Sequence, residues 1–164
     1  MDYRAAIITL SDSASEGKRI DESGQVIASM VTEEGYKVVF QKIIPDEGDL
    51  LTDLLCDLAD SDQADLILTT GGTGFSKRDH TPEATLRAIE RETPGVSEAM
   101  RYYSLQITPR GMLSRGVSGI RKEALIVNLP GSPKAVKECL EYALSSLTHG
   151  LDILKGNDSN CARK

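Results

Sequence analysis

Three glycines and three charged residues lie within nine consecutive positions near the middle of the chain: Gly71, Gly72, Gly74, Lys77, Arg78 and Asp79. Glycine permits sharp turns and leaves the neighbouring backbone amides uncovered, so that they can point at an anion. Lysine and arginine suit phosphate groups, and an aspartate carboxylate suits a divalent metal ion. The stretch therefore predicts phosphate chemistry, although a tight turn that binds no ligand could use the same glycines.

The segments on either side of this stretch predict a strand before it and a helix after it. Residues 66–70 are apolar and partly β-branched, as in a buried strand. Thr81 is a predicted helix N-cap, with Pro82 in the first helical position and Glu83 in the first turn. A strand, a glycine loop and a helix start together aim free N–H groups at an anionic ligand. Two familiar phosphate motifs do not match, because the P-loop string is absent and Lys77 replaces the third glycine of the dinucleotide fingerprint.

Size, composition and charge predict one globular domain. The 164 residues are 40% hydrophobic and 27% charged, which is ordinary for such a domain. We expect the domain to cover residues 1–156 and a disordered polar tail to follow over 157–164. No apolar run approaches the roughly 20 residues of a membrane span, and no secretion signal is visible. Because the net charge of −6 also argues against nucleic acid, we expect a cytoplasmic protein without membrane or nucleic-acid partners.

The cysteines and histidines do not predict a zinc site or a disulfide. The three cysteines, Cys56, Cys139 and Cys161, are odd in number and far apart, which suits free thiols in a reducing compartment. The two histidines, His80 and His149, are too few for a zinc cluster.

Strand-like and helix-like segments alternate along the chain. The predicted strands cover residues 5–10, 37–44, 66–70, 117–121 and 124–129. Helical patterns begin near residues 21, 50, 82, 96 and 133, and Gly35 and the run 93–95 are predicted to end helices. The alternation predicts an α/β fold with a mostly parallel sheet. Only two residues separate the last two strands, so that pair is expected to be antiparallel.

Four of the predicted loops leave the carboxyl ends of strands, where open α/β sheets bind their ligands. They cover residues 11–17, 45–49, 71–79 and 130–132. We expect these loops to share one rim and to bring five charged residues toward a common cleft: Asp12, Asp46, Lys77, Arg78 and Asp79.

Structural explanations stay open for several polar residues. Asp46 could cap a helix, and Asp12 could form a turn with its neighbouring serines. Ser132 is a predicted helix cap whether or not it also contacts a ligand. Arg110 and Arg115 could be solvated surface residues.

The sequence as a whole resembles the MogA/MoaB molybdopterin-binding family. The resemblance rests on several blocks: Thr70-Gly71-Gly72-Thr73-Gly74, Arg78-Asp79, Thr81-Pro82-Glu83, Ile44-Pro45-Asp46-Glu47, Met112-Leu113-Ser114-Arg115, the run from Asn128 to Val136, and the Ser11-Asp12 loop. It covers about residues 5–155. One departure is His80, where the family commonly has valine.

The resemblance implies a role in molybdenum-cofactor biosynthesis. Family enzymes transfer AMP from MgATP to the terminal phosphate of molybdopterin and release pyrophosphate. The resemblance also implies a three-layer α/β/α fold, a homotrimer and delivery to a downstream molybdenum-insertion protein. The family includes modules that bind molybdopterin as carriers or scaffolds without ATP turnover, and this alternative stays open.

Carried over residue by residue, the resemblance assigns Asp46 and Asp79 as the essential carboxylates. The phosphate nucleophile is already mostly dianionic at pH 7, since its second pKa is roughly 6, so we interpret both as Mg²⁺ ligands rather than as bases. The expected substrate-binding residues are Ser11, Asp12, Gly71, Gly72, Thr73, Gly74, Lys77, Arg78, Ser114, Arg115, Pro130, Gly131, Ser132 and Pro133.

Overall fold

The computed structural model describes residues 3–157, and six strands form one sheet within that range. The strands are β1 (Arg4–Leu10), β2 (Lys37–Ile44), β3 (Leu66–Thr70), β4 (Arg91–Glu92), β5 (Ser118–Arg121) and β6 (Ala124–Leu129). Their order is β2-β1-β3-β6-β5-β4. The four strands from β2 to β6 in this order are parallel, whereas β5 runs antiparallel to β6 and β4 antiparallel to β5. Residues 158–164 of the predicted tail lie outside the described part of the chain.

Helices cover both faces of the sheet. They are α1 (Asp12–Ser15), α2 (Glu22–Glu33), α3 (Gly48–Asp60), α4 (Thr81–Ala88), α5 (Pro94–Ile107), a 3-10 helix (Pro109–Leu113) and α6 (Pro133–Leu154). One hydrophobic core joins the sheet to α2, α5 and α6, and a second joins it to α3 and α4. The predicted three-layer α/β/α fold is therefore confirmed. Within residues 3–157, no helix is long and apolar enough to cross a membrane.

The apolar strands are buried because helices lie on both of their faces. Along β1, Ala5 and Ile7 face the first core, whereas Ala6 and Ile8 face the second. Successive side chains of a strand point to opposite faces, so a strand covered on both sides must be apolar throughout. β3 is likewise buried along its whole length. These two central strands fix the position of the loops that follow them.

Most predicted elements occur where the sequence placed them. β2, β3 and β6 have the predicted bounds, and β5 and β6 form the predicted antiparallel pair. β4 was not predicted, because two exposed polar residues carry no strand pattern and only their pairing with β5 defines them.

Two local predictions need correction, and one segment without a prediction has regular structure. Thr81 is the first residue of α4 rather than its N-cap, which is His80, and the Thr81 hydroxyl donates instead to the Gly71 carbonyl at 2.9 Å. The run 93–95 does not end the helix that begins near Pro82, because α4 already ends at Ala88. Thr93 instead holds the N-cap position of α5 without a capping side-chain hydrogen bond, and Pro94 begins that helix, since proline is well tolerated in a first turn. The segment before β5 that lacked a predicted structure contains the 3-10 helix.

An ionic cluster ties the C-terminal end of α6 to the end of the sheet opposite the four loops. The Asp65 carboxylate accepts hydrogen bonds from the Arg4 backbone amide at 2.8 Å and guanidinium at 2.8 and 3.0 Å. It also pairs with the Lys155 ammonium at 2.9 Å, while only 7% of its side chain is exposed. Burial would raise the pKa of Asp65, but the hydrogen bonds from Arg4 and Lys155 outweigh burial and hold that pKa well below its usual range.

We expect Asp65→Asn to lower the free energy of unfolding by about 3 kcal/mol at pH 7, because it removes the buried carboxylate that Arg4 and Lys155 share and leaves them only exposed acidic partners. The native pKa of Asp65 lies below the unfolded value of about 3.9, so its contribution is complete above that pH and declines as the pH falls further. Urea unfolding at pH 7 and pH 3 should show the wild-type advantage shrinking at the lower pH. Asp62→Asn is the matched control: that side chain also pairs with Arg4 but is 76% exposed, so a change under about 1 kcal/mol is expected. An equal effect of Asp65→Asn at both pH values would contradict the assignment.

Candidate active site

The loops after β1 and β3 diverge at the place where the strand order reverses. β1 pairs with β2 on one side and with β3 on the other, so the chain leaves β1 and β3 in opposite directions. Such switch points in α/β sheets leave a crevice beyond the strand ends. The loop after β6 also reaches this rim, since a methyl group on Gly131 would lie 3.4 Å from the Gly71 Cα.

The glycine loop between β3 and α4 presents unpaired backbone amides. Gly71 and Gly72 have φ angles of 93° and 66°, a region that favours glycine. Thr81 closes the loop: its amide donates to the Gly72 carbonyl at 3.1 Å, and its hydroxyl holds the Gly71 carbonyl. No described residue accepts a hydrogen bond from the four consecutive amides of residues 72–75. Such a run of free N–H groups is suited to phosphate oxygens.

Two acidic loops are locked together on the same rim. The Asp12 amide donates to the Asp46 carboxylate at 3.0 Å, and the Asp46 amide donates to the Asp12 carboxylate at 3.0 Å. Burial, followed by the charges of Asp12 and Asp79, raises the pKa of Asp46. Asp46 is not a helix cap, because the cap position of α3 belongs to Glu47. Its carboxylate is instead held where a bound cation would offset the burial and the like charges around it.

Asp46 and Asp79 each keep one open carboxylate oxygen. The Oδ2 of Asp46 accepts from the Asp12 amide, and the Oδ2 of Asp79 accepts from the Ser76 amide at 2.9 Å. Within residues 3–157 the Oδ1 atoms of both aspartates have no hydrogen-bond donor. A methyl group on Gly72 would lie 3.4 Å from the Asp46 Oδ1, which places this oxygen beside the free amides.

The two basic residues of the loop differ in what they contact. Arg78 donates twice to Asp12, from Nε at 3.0 Å and from Nη2 at 2.7 Å. The hydrogen bonds from Arg78, and then the one from the Asp46 amide, lower the pKa of Asp12. Lys77 is exposed and makes no hydrogen bond or ion pair with the part of the chain that the structure describes. Lys77 is therefore available to an anion, whereas Arg78 would first have to leave Asp12.

A cavity of 440 Å³ opens beside the glycine loop, between the end of β6 and helices α5 and α6. Its floor includes Met100, Ala135 and Cys139, and its polar side chains include Ser104 and Arg110. Burial raises the pKa of the Cys139 thiol, so it stays protonated and adds apolar surface rather than a nucleophile. The volume lies within the range of about 300–1,000 Å³ that is usual for small-molecule sites.

A smaller cavity of 160 Å³ lies on the other side of the glycine loop. It is lined by residues from the end of β1 and the start of α2, among them Ser11 and Asp21. The Asp21 carboxylate caps α2 through the Gly24 amide at 2.8 Å and accepts from the Thr9 hydroxyl at 2.7 Å. Gly131 borders both cavities, so they meet at the loop after β6.

A family model described as a probable molybdopterin binding domain matches residues 6–149. The chain belongs to this molybdopterin-binding family. It is 40% identical over 153 residues to a molybdopterin adenylyltransferase of Helicobacter pylori, covering 92% of this chain and 87% of the relative. It is 44% identical over 141 residues to a molybdopterin adenylyltransferase of Escherichia coli, covering 84% and 72%. Among solved structures, the molybdopterin biosynthesis enzyme MoaB of Thermus thermophilus superposes with a TM-score of 0.88 at 43% identity, covering 94% of this chain and 97% of the other. The resemblance seen in the sequence blocks is thereby confirmed.

The structure divides the residues predicted for a molybdopterin-binding site into three groups. Those that line the larger cavity are Gly72, Thr73, Gly74, Asp79, Ser114, Pro130, Gly131 and Ser132. Those that line the smaller cavity are Ser11, Gly71, Gly131 and Pro133. Asp12, Asp46, Lys77, Arg78 and Arg115 line neither cavity and lie on the rim or behind the loop. Ser132 holds the predicted N-cap position of α6, but its side chain makes no capping hydrogen bond.

Residues of α5 and α6 that line the cavity of this molybdopterin-binding domain were not identified from the sequence. Met100, Ser104 and Cys139 sit on ordinary helical faces, and only the packing of the two helices turns them toward the loop. Arg110, for which a role as a solvated surface residue stayed open, belongs to the cavity wall. No spacing in the sequence distinguishes such residues from core or surface.

The acidic residues of the rim fit a magnesium ion better than a zinc ion. Within residues 3–157, no group of three histidine, cysteine or acidic side chains is gathered to hold a metal on its own. Mg²⁺ commonly uses one or two carboxylates and takes its other ligands from phosphates and water. The open oxygens of Asp46 and Asp79 supply that number.

Proposed function

We propose that this protein is a molybdopterin adenylyltransferase, which transfers AMP from ATP to the terminal phosphate of molybdopterin and releases pyrophosphate. The observation that carries the proposal is the row of four amides over residues 72–75 that no residue of 3–157 accepts from, next to a small-molecule cavity and to two partly open carboxylates. Relatives that are 40–44% identical to this chain over 141–153 aligned residues bear this name.

In this proposal the larger cavity receives the pterin. Its apolar floor at Met100 and Ala135 suits the flat ring, and Ser104 and Arg110 offer polar partners for the ring edges. The glycine loop, which forms one wall, then holds the terminal phosphate of the pterin near the triphosphate. An oxygen of the pterin phosphate attacks the α-phosphorus of ATP, and the bond between the α-phosphorus and the pyrophosphate leaving group breaks.

The main barrier to this reaction is charge rather than proton transfer. The attacking phosphate is a dianion at pH 7, since its second pKa is roughly 6, so it needs no general base. It must approach another polyanion, and the free amides and Lys77 lower the repulsion by facing the phosphate oxygens. These amides are already in place in the free protein, so little reorganisation is needed on binding.

We propose that Asp46 and Asp79 hold a Mg²⁺ ion that arrives with ATP. The raised pKa of Asp46 reflects burial beside the like charges of Asp12 and Asp79, and a divalent cation would relieve both effects. When bound, the ion would neutralise phosphate charge. Asp12 orients Asp46 through their reciprocal hydrogen bonds and does not need to contact the ion itself.

The remaining proposals concern the surroundings of the reaction. We propose a homotrimer in the cytoplasm that passes its product to a molybdenum-insertion protein. Exposed apolar residues on α5 and the 3-10 helix, among them Tyr102 and Met112 at 66% and 64% exposure, support an association of copies. Light scattering would give the oligomeric state.

Incubation with molybdopterin, Mg²⁺ and α-³²P-labelled ATP tests the proposed activity. We expect label to appear on the pterin in proportion to the pyrophosphate released, and EDTA to stop the transfer. Binding of molybdopterin without labelled product would instead support the carrier or scaffold alternative.

We expect Lys77→Ala to weaken ATP binding by about tenfold, or about 1.4 kcal/mol, and molybdopterin binding by much less. The reason is that Lys77 has no partner among residues 3–157 and carries its charge at the loop that faces the triphosphate. Calorimetric titration with each ligand separates the two affinities. Lys37→Ala makes the same charge change on an exposed residue at the start of β2, the end of the strand away from the loop rim. It should leave both affinities unchanged. Unchanged ATP affinity in Lys77→Ala would contradict the role given to Lys77.

A further inference from the structure

Arg115 connects the segment before β5 to the glycine loop through four separate contacts. Its amide donates to the Thr73 carbonyl at 2.9 Å and its Nε to the Gly74 carbonyl at 2.8 Å. Its Nη2 donates to the Asp79 carbonyl at 2.7 Å, and its Nη1 pairs with the Glu83 carboxylate in the first turn of α4. One residue thus holds the middle of the loop, its end and the start of the following helix.

Anchored carbonyl groups determine the direction of the loop amides. The peptide unit is planar and trans, so its N–H points opposite to its C=O. Because the Thr73 and Gly74 carbonyls face Arg115, the amides of Gly74 and Phe75 point away from it. These two amides belong to the unpaired row 72–75 that would receive phosphate oxygens.

The guanidinium group is directed at the loop and at Glu83, and two of its five N–H groups have no acceptor among residues 3–157. Nε, Nη1 and Nη2 each donate to a protein oxygen, and only 33% of the side chain is exposed. Glu83 also balances its charge. The residue does not line the larger cavity, whereas its neighbours Ser114 and Gly116 do.

We propose that Arg115 is a positioning residue for the phosphate-binding loop: it fixes the amides of Gly74 and Phe75 and the backbone of Asp79, and it does not contact substrate. This inference rests on the proposed function, since it names the residue that prepares the same site for the triphosphate. Lysine cannot replace arginine here, because a single ammonium cannot span three acceptors arranged around a planar fork.

The test compares Arg115→Lys with Arg121→Lys. Arg121 is a matched control because its guanidinium also makes a carboxylate pair, with Asp60, and a bond to the Ala88 carbonyl, far from the loop. Thermal unfolding reports the structural loss in each variant. Calorimetric titration with magnesium pyrophosphate measures the phosphate affinity of the loop. Steady-state assays with molybdopterin and MgATP give kcat and KM.

We expect both variants to lose similar thermal stability, while only Arg115→Lys weakens pyrophosphate binding by about tenfold and lowers kcat by at least about tenfold. The KM for molybdopterin should stay within about threefold of wild type, because no pterin contact is removed. Glu83→Gln, which keeps the three backbone contacts, should give an intermediate effect and serves if Arg115→Lys does not fold.

Four results would overturn the inference. Equal pyrophosphate affinity in wild type and Arg115→Lys would mean that the contacts are only structural, and so would an equal loss of pyrophosphate affinity in Arg115→Lys and Arg121→Lys. A raised KM for molybdopterin with unchanged kcat would make Arg115 a direct pterin contact. Absence of AMP transfer in the wild type would reject the proposed function, but the pyrophosphate titration would still decide the role of Arg115, and a wild type that does not bind pyrophosphate would reject that role as well.

Discussion

Asp79→Asn is expected to reduce AMP transfer by at least about a hundredfold, a loss of roughly 3 kcal/mol of transition-state stabilisation. The change removes the negative charge at the open Oδ1 while keeping the size of the side chain. The asparagine carbonyl can still accept from the Ser76 amide, which closes the turn before α4. The fold and the position of the loop should therefore persist. Initial rates with labelled ATP, measured beside a thermal unfolding curve, provide the comparison.

Asp53→Asn is the control for this change. Asp53 is an exposed residue of α3, away from the rim, so its amide variant should transfer AMP at the wild-type rate. Activity of Asp79→Asn within about threefold of wild type, a difference under about 1 kcal/mol, would show that the Asp79 charge has no role in the reaction. Higher Mg²⁺ concentrations should partly restore AMP transfer by Asp79→Asn if the variant has lost one metal ligand. A rate that does not rise with Mg²⁺ would favour a different function for the carboxylate.

The sequence predicted the parallel sheet well because burial on both faces leaves little freedom in composition. A strand such as β3 can contain only apolar or hydrogen-bonded side chains, so its limits are visible as changes of composition. β4 was missed for the opposite reason. Arg91 and Glu92 are exposed, and their strand geometry depends on a neighbour almost thirty residues later in the chain. Pairings of this kind are tertiary contacts and leave no local pattern.

The sequence also predicted which loops would meet, but not which contacts their side chains would make. The rule that ligands bind beyond the carboxyl ends of parallel strands was enough to bring Asp12, Asp46 and Asp79 to one rim. It could not show that the Asp12 carboxylate is paired with Arg78, nor that the Arg115 guanidinium donates to protein oxygens. Those relations depend on side-chain directions, which the order of elements does not determine. The same limit explains why the α5 and α6 walls of the cavity were not identified.

The loop that carries the free amides depends on the absence of a side chain at Gly71. Its φ angle of 93° is unfavourable for any residue with a Cβ. A Cβ added there would overlap the Leu10 carbonyl oxygen, which belongs to the central strand β1. That oxygen cannot move without disturbing the pairing of β1 with its neighbours. Gly71 therefore allows β3 to turn closely past the end of β1, and this turn places the amides of residues 72–75 on the rim.

We accordingly expect Gly71→Ala to lower the free energy of unfolding by at least about 3 kcal/mol, the sum of roughly 1–2 kcal/mol of backbone strain and the displacement of a close-packed backbone. For a domain of this size the melting temperature should fall by roughly 6–12 °C. Gly150→Ala is the matched control: a methyl group there meets no atom within 4 Å, and Gly150 lies inside α6. Since alanine is favoured over glycine in a helix by about 0.5–1 kcal/mol, this control should raise the melting temperature. A Gly71→Ala variant that melts at the wild-type temperature and still binds pyrophosphate normally would mean that the loop can turn without glycine, and the amide row would then not depend on this close approach to β1.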